Sequence, residues 1–462
     1  MLHGWIDGID GNISGWAYDH SAPHSPVRIE IYINGAHYGN VTADQPRPDL
    51  ASLNIGNTNY GFSIKAPRGL KSDAVVFGKS GDSFIIQTPR SREKPLSKYL
   101  HHQSLVDDVA AGLELVLRGP SLAEDQSILD RICQMASRNE GSASFDLGPI
   151  WGALKSSRHG DVEKFVKERD LPALGSYLAE LGKQPLAVGF LGGPEAHAAN
   201  LTRIQYRRDQ ARTIFDRIVS LAEAIGVIHV ENPEQGPWGE IVGLSPDFVL
   251  DAIAAAYGIQ NFEASVGGIW GLQTSHGIVN TRSVTAIYAA ARIKALCGLF
   301  GLHGVVEIGG GAGLVAHYSM LMGCDRYKIT DLPTVGITQA YTLRNHPGLA
   351  LYGEPTDEAR IEIMPPAEFA RAPKGRFELL FNMDSLPEIE PETAAGYLRS
   401  ARELGFRYFL SVNQESGNMV DGWRQGKVRN IAEKAGGYEL MSRHRDWMRP
   451  GYVEELYRII PA

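Results

Sequence analysis

Apolar and polar positions alternate in short runs over residues 1–90. The run VRIEIYING (residues 27–35) reads apolar-polar with a period of two and closes on Asn34-Gly35, the strongest short-range signal for a hairpin turn. YGFSIKAP, AVVFGK and SFIIQTP repeat that character with Gly, Asp and Ser between them. Strands at this spacing, with no helical period, predict a small β-sandwich accessory module. After a proline- and charge-rich connector, PRSREKPLSKY (residues 89–99), the period changes to three and four. LVDDVAAGLELVL, SILDRICQMAS, DVEKFVKERDLPALGSYLAEL and NLTRIQYRRDQARTIFDRIVSLAEAIGV predict a helical region over residues 91–260. The basic residues along the last run read as a solvated helix face.

From residue 261 to 462 the pattern changes again. A long helix, TRSVTAIYAAARIKALCGLF, precedes GVVEIGG, YKITDLP, RIEIMPP, FELLFNMDS, RYFLSVNQ, YELMSRH and EELYRII. Strand-like and helical runs that alternate build a parallel sheet covered by helices. Only RDWMRPGYV separates the last two strands, too little for a helical crossover, so they are predicted to form an antiparallel hairpin. The expected class is therefore α/β: a Rossmann-like C-terminal sheet ending in an antiparallel hairpin, preceded by a helical region and an N-terminal β-sandwich.

Composition narrows the partners. The 462 residues exceed one ordinary core, and 43% hydrophobic against 21% charged residues argues for a folded globular chain. A net charge of −8 leaves no basic footprint for nucleic acid. Cys133, Cys297 and Cys324 are far apart, which suits a reducing compartment and excludes a cysteine-built zinc cluster. No secretory pattern opens the chain, and no apolar run is expected to approach the roughly 20 residues a membrane helix needs, so a cytoplasmic location is expected. Apolar faces in the helical region suit a homodimer. Trp5 and Trp16, in two similar Gly-Trp contexts, are expected in the core because tryptophan is highly buried on average; exposed, they would form a sugar-stacking platform.

The chemistry concentrates in VVEIGGGAGL, where Glu307 is followed by four glycines within five residues. No lysine follows Gly313, so this is not a P-loop. A dinucleotide fingerprint needs G-x-G-x-x-G, but Leu314 stands where the last glycine would fall. The spacing is E-x-G-x-G-x-G, through Gly309, Gly311 and Gly313, and Asp331 closes the next strand, where it can take both hydroxyls of a ribose. These features suit S-adenosylmethionine (SAM), which has no pyrophosphate to place on a helix N-terminus.

EIGGGAG with ITDLP, FNMDSLPEI and RYFLSVNQ resembles the class I SAM-dependent methyltransferases. More narrowly, Asp331-Leu332-Pro333 and Asn382-x-x-Ser385-x-x-Glu388 are similar to bacterial sugar O-methyltransferases. The resemblance covers residues 261–462. The N-terminal strands resemble a short module found beside bacterial glycosyltransferases of surface-polysaccharide synthesis. The resemblance implies that Glu307 and the turn Gly309–Gly313 hold the methionine part of SAM. It places Asp331 and Leu332 at the ribose, Pro366 and Ala367 beside the adenine, and Asn382 beside the sulfonium. His276, in a segment that lids the acceptor in this class, is a candidate base with Asp384 and Glu388, the two acids that follow the fourth strand. Trp270, His276 and Trp447 are candidate contacts to the acceptor. Asp384 and Glu388 offer only two ligands toward a divalent metal, so none is assigned. The implied activity is methyl transfer to a sugar hydroxyl of a bacterial surface polysaccharide or its precursor. The alternatives are a small-molecule O-methyltransferase and a non-catalytic glycan-binding scaffold.

Overall fold

The computed structural model describes residues 2–9, 11–19, 21–53, 58–70, 76–81, 83–86, 113–123, 125–139, 148–232, 234–235, 245–416, 419–420 and 423–461. The chain divides into two compact units, Met1–Lys98 and Tyr99–Ala462.

The first unit is a small β-sandwich. Strands β1 (Leu2–Gly8), β2 (Asn12–Asp19) and β5 (Gly61–Lys65) form one antiparallel sheet in the order β1-β2-β5. Strands β3 (Val27–Ile33), β4 (Ala36–Ala43), β6 (Val76–Ser80) and β7 (Ser83–Ile86) form the other, in the order β4-β3-β6-β7. The alternation in VRIEIYI sends Val27, Ile29 and Ile31 into a core shared with Ile6, Ile13 and Ala17 of the first sheet. Asn34 and Gly35 both take positive φ, 50° and 84°, as a tight hairpin turn requires. Trp5 and Trp16 face each other across β1 and β2 and lie outside that core. Trp5 is 40% exposed and Trp16 half-buried beside Tyr18, because their strand positions alternate with the inward Ile6 and Ala17.

In the second unit one sheet runs β13-β14-β12-β11-β15-β16-β20-β19. Its strands are β11 (Gly304–Ile308), β12 (Arg326–Thr330), β13 (Leu349–Ala350), β14 (Ile361–Met364), β15 (Leu379–Met383), β16 (Tyr408–Gln414), β19 (Tyr438–Arg445) and β20 (Tyr452–Ile459). All pairings are parallel until β20, which runs antiparallel to both β16 and β19. Strand order reverses at β11: β12 and β14 lie on one side of it, β15 and β16 on the other. The crevice at the carboxyl ends of β11 and β15 is therefore the position where open α/β sheets bind ligands.

Both faces of the central strands of this sheet are buried. On β15, Leu379 and Phe381 join the larger core, and Leu380 joins the smaller core with Leu398 and Phe409. The larger core also takes Ile132, Leu178, Phe215 and Ile253 from helices Ser127–Asn139, Leu171–Ala179, Ile204–Ala224 and Pro246–Tyr257. Much of the helical region read over residues 91–260 thus closes one face of the sheet. Helix Ser127–Asn139 packs on helix Pro333–Thr342, and Arg131 pairs bidentately with Glu354 at 2.8–2.9 Å.

The run at residues 105–117 departs from its helical reading. Residues 105–112 lie outside the described residues, and Leu115–Leu117 is a strand, β8, paired with β9 (Trp270–Thr274). The free edge of the β9–β10 hairpin (β10, Gly277–Val279) supplies a ladder that local periodicity cannot reveal. A short ribbon, β17 (Met419–Val420) and β18 (Trp423–Arg424), completes the strands among the described residues.

One helix among the described residues, Thr281–Phe300, is long and apolar enough to cross a membrane by length and composition. This corrects the expectation that no apolar run approaches that length: Arg282, Arg292 and Lys294 interrupt the run but leave the helix apolar on average. Val284, Ile287, Tyr288, Ala290 and Ile293 are buried in the larger core, where the helix packs on Leu314–Leu321 and Ile204–Ala224.

Candidate active site

The ends of β11, β12 and β15 open into a cleft at the switch point. Its walls include Glu307, Gly309, Gly310, Gly311, Asp331, Leu332, Pro366, Asp384 and Glu388. Residues more than eighty apart in sequence are thus gathered at the switch point.

The glycine turn has internal reasons as well as a surface. Gly309 has φ 72°, and an added Cβ there would collide with the side chain of Ser385. Gly313 does not line the cleft; with φ 77° it caps the Leu314–Leu321 helix and packs on Leu343.

Two carboxyls sit at this turn. Glu307 is buried and accepts a hydrogen bond from the Tyr327 hydroxyl at 3.0 Å. Burial pushes it up to about 8, and the nearby Asp331 adds to the shift. Asp331 accepts from the Gly311 N–H at 3.0 Å, the Leu332 N–H at 2.7 Å and the Gln339 amide at 2.7 Å. Burial still carries it up to about 7. Neither acid has an ion-pair partner among the described residues, so a ligand bringing positive charge or hydroxyl donors would stabilise both.

Across the cleft, Glu388 accepts from the Trp151 indole N–H at 3.0 Å, and burial followed by the charge of Asp384 raises its carboxyl to about 7. Asp384 has φ 73°, an uncommon conformation for a residue other than glycine. Its two oxygens accept from Nη1 of the buried Arg449 at 2.8 Å, and Arg282 lies 3.6 Å away. A third arginine, Arg217, is lowered to about 10 by burial and by the charges of Arg449 and Arg282.

The remaining residues expected at the site are placed elsewhere. Asn382 is fully buried and does not line the cleft. Its amide donates to the Ile308 carbonyl at 2.8 Å and to Ser385 at 2.6 Å, and its oxygen accepts from Asn413, so it ties β11, β15 and β16 together. Ala367 follows Pro366 in a short helical turn, Pro366–Arg371, and is not part of the cleft wall. His276 lies in the β9–β10 turn, bound to Asp251 at 2.7 Å and the Gln260 carbonyl at 3.2 Å, away from the cleft. Trp270 lines a separate pocket. Trp447 is 38% exposed in the β19–β20 turn, and it is Arg449 from that turn that reaches the cleft acids. Among the described residues no group of three or more His, Cys, Asp or Glu side chains gathers as a metal site.

Sequence reasoning missed Trp151, Phe190, Arg282 and Tyr397, all in the cleft wall. Arg282 carried a signal. It stands in the first turn of the Thr281–Phe300 helix, capped by Asn280, where the helix dipole disfavours a cation. Trp151 and Phe190 come from the helical region and carry no local mark.

No protein-family model matches this chain, and no curated protein matches it. Solved structures with a similar fold include the CcbJ methyltransferase from Streptomyces caelestis, at 17% identity and TM-score 0.29, over 38% of this chain and 89% of that one. Another is a SAM-dependent methyltransferase from Aquifex aeolicus, at 16% identity and TM-score 0.27, over 37% and 89%. A third is the magnesium protoporphyrin IX methyltransferase of Synechocystis with bound SAM, at 16% identity and TM-score 0.29, over 40% and 86%. With likenesses this low, what the cleft holds has to be argued from its own residues.

Proposed function

We propose that the chain is a SAM-dependent O-methyltransferase acting on a sugar hydroxyl. The observation that carries the cofactor is a pair of carboxyls with no ion-pair partner among the described residues, buried Glu307 and half-buried Asp331, on either side of the glycine turn at the switch point. SAM brings a sulfonium, an ammonium and a ribose diol, which suit those acids. A dinucleotide would instead bring pyrophosphate charge beside two carboxyls, which is repulsive. Glu307 and the Gly309–Gly311 backbone would face the methionine portion, and Asp331 the ribose.

Bound SAM supplies an electrophilic methyl carbon on a good leaving group. The chain's own part is to align an oxygen behind that carbon and to accept its proton. Glu388 is the proposed base: its carboxyl, near 7, is matched to neutral pH, and the Trp151 N–H fixes its orientation. Glu388 would accept the hydroxyl proton as the acceptor oxygen takes the methyl group and the sulfonium, losing its carbon–sulfur bond, leaves as a neutral thioether. Asp384, clamped by Arg449 and close to Arg282, positions the arginines at the cleft wall. The sugar as acceptor is supported by the similarity of the Asp331-Leu332-Pro333 and Asn382-to-Glu388 motifs to sugar O-methyltransferases.

Isothermal titration of S-adenosylhomocysteine (SAH) tests the cofactor reading. Micromolar binding that weakens at least about tenfold in Asp331→Ala, as loss of hydrogen bonds to a charged group entails, is expected. Absence of binding to the unaltered protein would overturn it. Glu388→Gln should leave SAH binding unchanged and slow turnover by about 10²-fold or more.

A further inference from the structure

Behind the cleft lies a second pocket, lined largely by polar side chains: Asn200, Tyr206, Gln210, His197 and Arg282, with the indole of Trp270. A short glycine-rich segment walls it off. Gly189 and Phe190 face the cleft, while Leu191 and Gly192 face the second pocket. Arg282 lines both; it donates to the Gly189 carbonyl at 3.1 Å and stands 3.6 Å from Asp384.

Three observations point to a ligand. Asn200 is only 6% exposed, and its Nδ2 donates to the Ala196 carbonyl at 2.9 Å, yet its Oδ1 has no hydrogen-bond partner among the described residues. Flipping the amide would set two oxygens against each other, so the orphan is an acceptor, and burying one unpaired is costly. The Trp270 ring is held in place: its N–H donates to His197 Nδ1 at 3.1 Å, and the Arg207 guanidinium lies 6.0 Å from the ring centre. That bond makes Nδ1 the acceptor, which leaves Nε2 of a neutral His197 as a donor. Burial, followed by the charge of Lys183, lowers the His197 pKa and favours the neutral ring. Tyr206 and Gln210 bring further hydroxyl and amide groups to the same pocket.

We infer that this pocket is a subsite for one pyranose ring of the acceptor, joined to the methyl-transfer cleft at Arg282. A pyranose offers a C–H face to an indole and a ring of hydroxyls that both donate and accept. Gln210, Tyr206 and His197 offer donors and acceptors to the ring hydroxyls. A planar phenolic acceptor would leave most of these groups unpaired. The inference deepens the methyltransferase reading, and its class of ligand rests on that reading only where the two sites meet.

The test uses the full chain and methyl glycopyranosides of glucose, galactose, mannose and rhamnose, with catechol as the contrasting probe, observed by saturation-transfer NMR with and without saturating SAH. Transfer to the ring protons of at least one glycoside is expected, with about fivefold weaker binding in each of Gln210→Ala and Tyr206→Phe, the loss of one hydrogen bond. SAH affinity in both variants should match the parent, which also reports that they fold. The subsite is overturned if none of the four glycosides receives saturation, if transfer is unchanged in both variants, or if catechol alone binds. If the parent protein does not bind SAH, the methyltransferase reading falls instead, and the SAH-free spectra still decide the pocket.

Discussion

Glu307 and Asp331 hold their protons to about 8 and about 7 because burial penalises their charge, and Glu388 does so to about 7. A carboxyl whose folded pKa exceeds its unfolded value binds a proton in the folded state that the open chain has already lost. Stability of the ligand-free protein should therefore fall as pH rises from about 6.5 to 8.5. Below about 6.5 the buried His159 and His317, lowered to about 4 and about 3, work in the opposite direction, since the unfolded chain gains their protons first. Thermal unfolding across this range should show the decline above 6.5, and Glu307→Gln should make it shallower. A ligand carrying a sulfonium favours the carboxylates, so SAM binding at pH 6.5 should release protons, seen as a dependence of the titration heat on buffer ionisation enthalpy. A heat that does not vary with buffer would count against the pairing of these acids with the ligand.

Among the elements, the turn after β11 joins two demands on one residue. Gly309 needs a positive φ and must also leave room for Ser385, which hydrogen-bonds the Ile308 carbonyl at 2.9 Å. Gly309→Ala is expected to cost about 1–3 kcal/mol by chemical denaturation. Ser385→Gly in the same chain should recover only part of it, because the strain at φ 72° remains. The turn was legible in the sequence because glycine spacing is a local property, as were the Asn34-Gly35 hairpin and the alternation that built the main sheet. Asn382 was legible as a motif residue but not as a strand tie, since its partners at Ile308 and Asn413 become neighbours only when β11, β15 and β16 align. His276 drew attention through its chemistry and through its place in a segment that lids the acceptor in the resembling class, but the β9–β10 turn holds it on Asp251 instead. Trp151 and Phe190 could not have been found in advance, because nothing local tells which helix or turn will wall a distant crevice.

At the scale of the molecule, the β-sandwich has its own core and its own closed set of strands. A chain beginning at Tyr99 should therefore bind SAH within about twofold of the full chain, and a loss greater than tenfold would show that the two units share the cofactor site. The helices of residues 127–257 have no such independence: their apolar faces are covered by a sheet encoded after them. Arg131 must wait for Glu354, 223 residues later, which at about 5–20 residues per second leaves the ribosome roughly 10–45 s afterwards. During that interval the sandwich can fold, whereas the middle of the chain carries uncovered apolar helices. Nascent protein stalled between these two points is the form most dependent on chaperones, and a brief pause in translation after residue 260 would prolong that exposure while leaving the sandwich untouched.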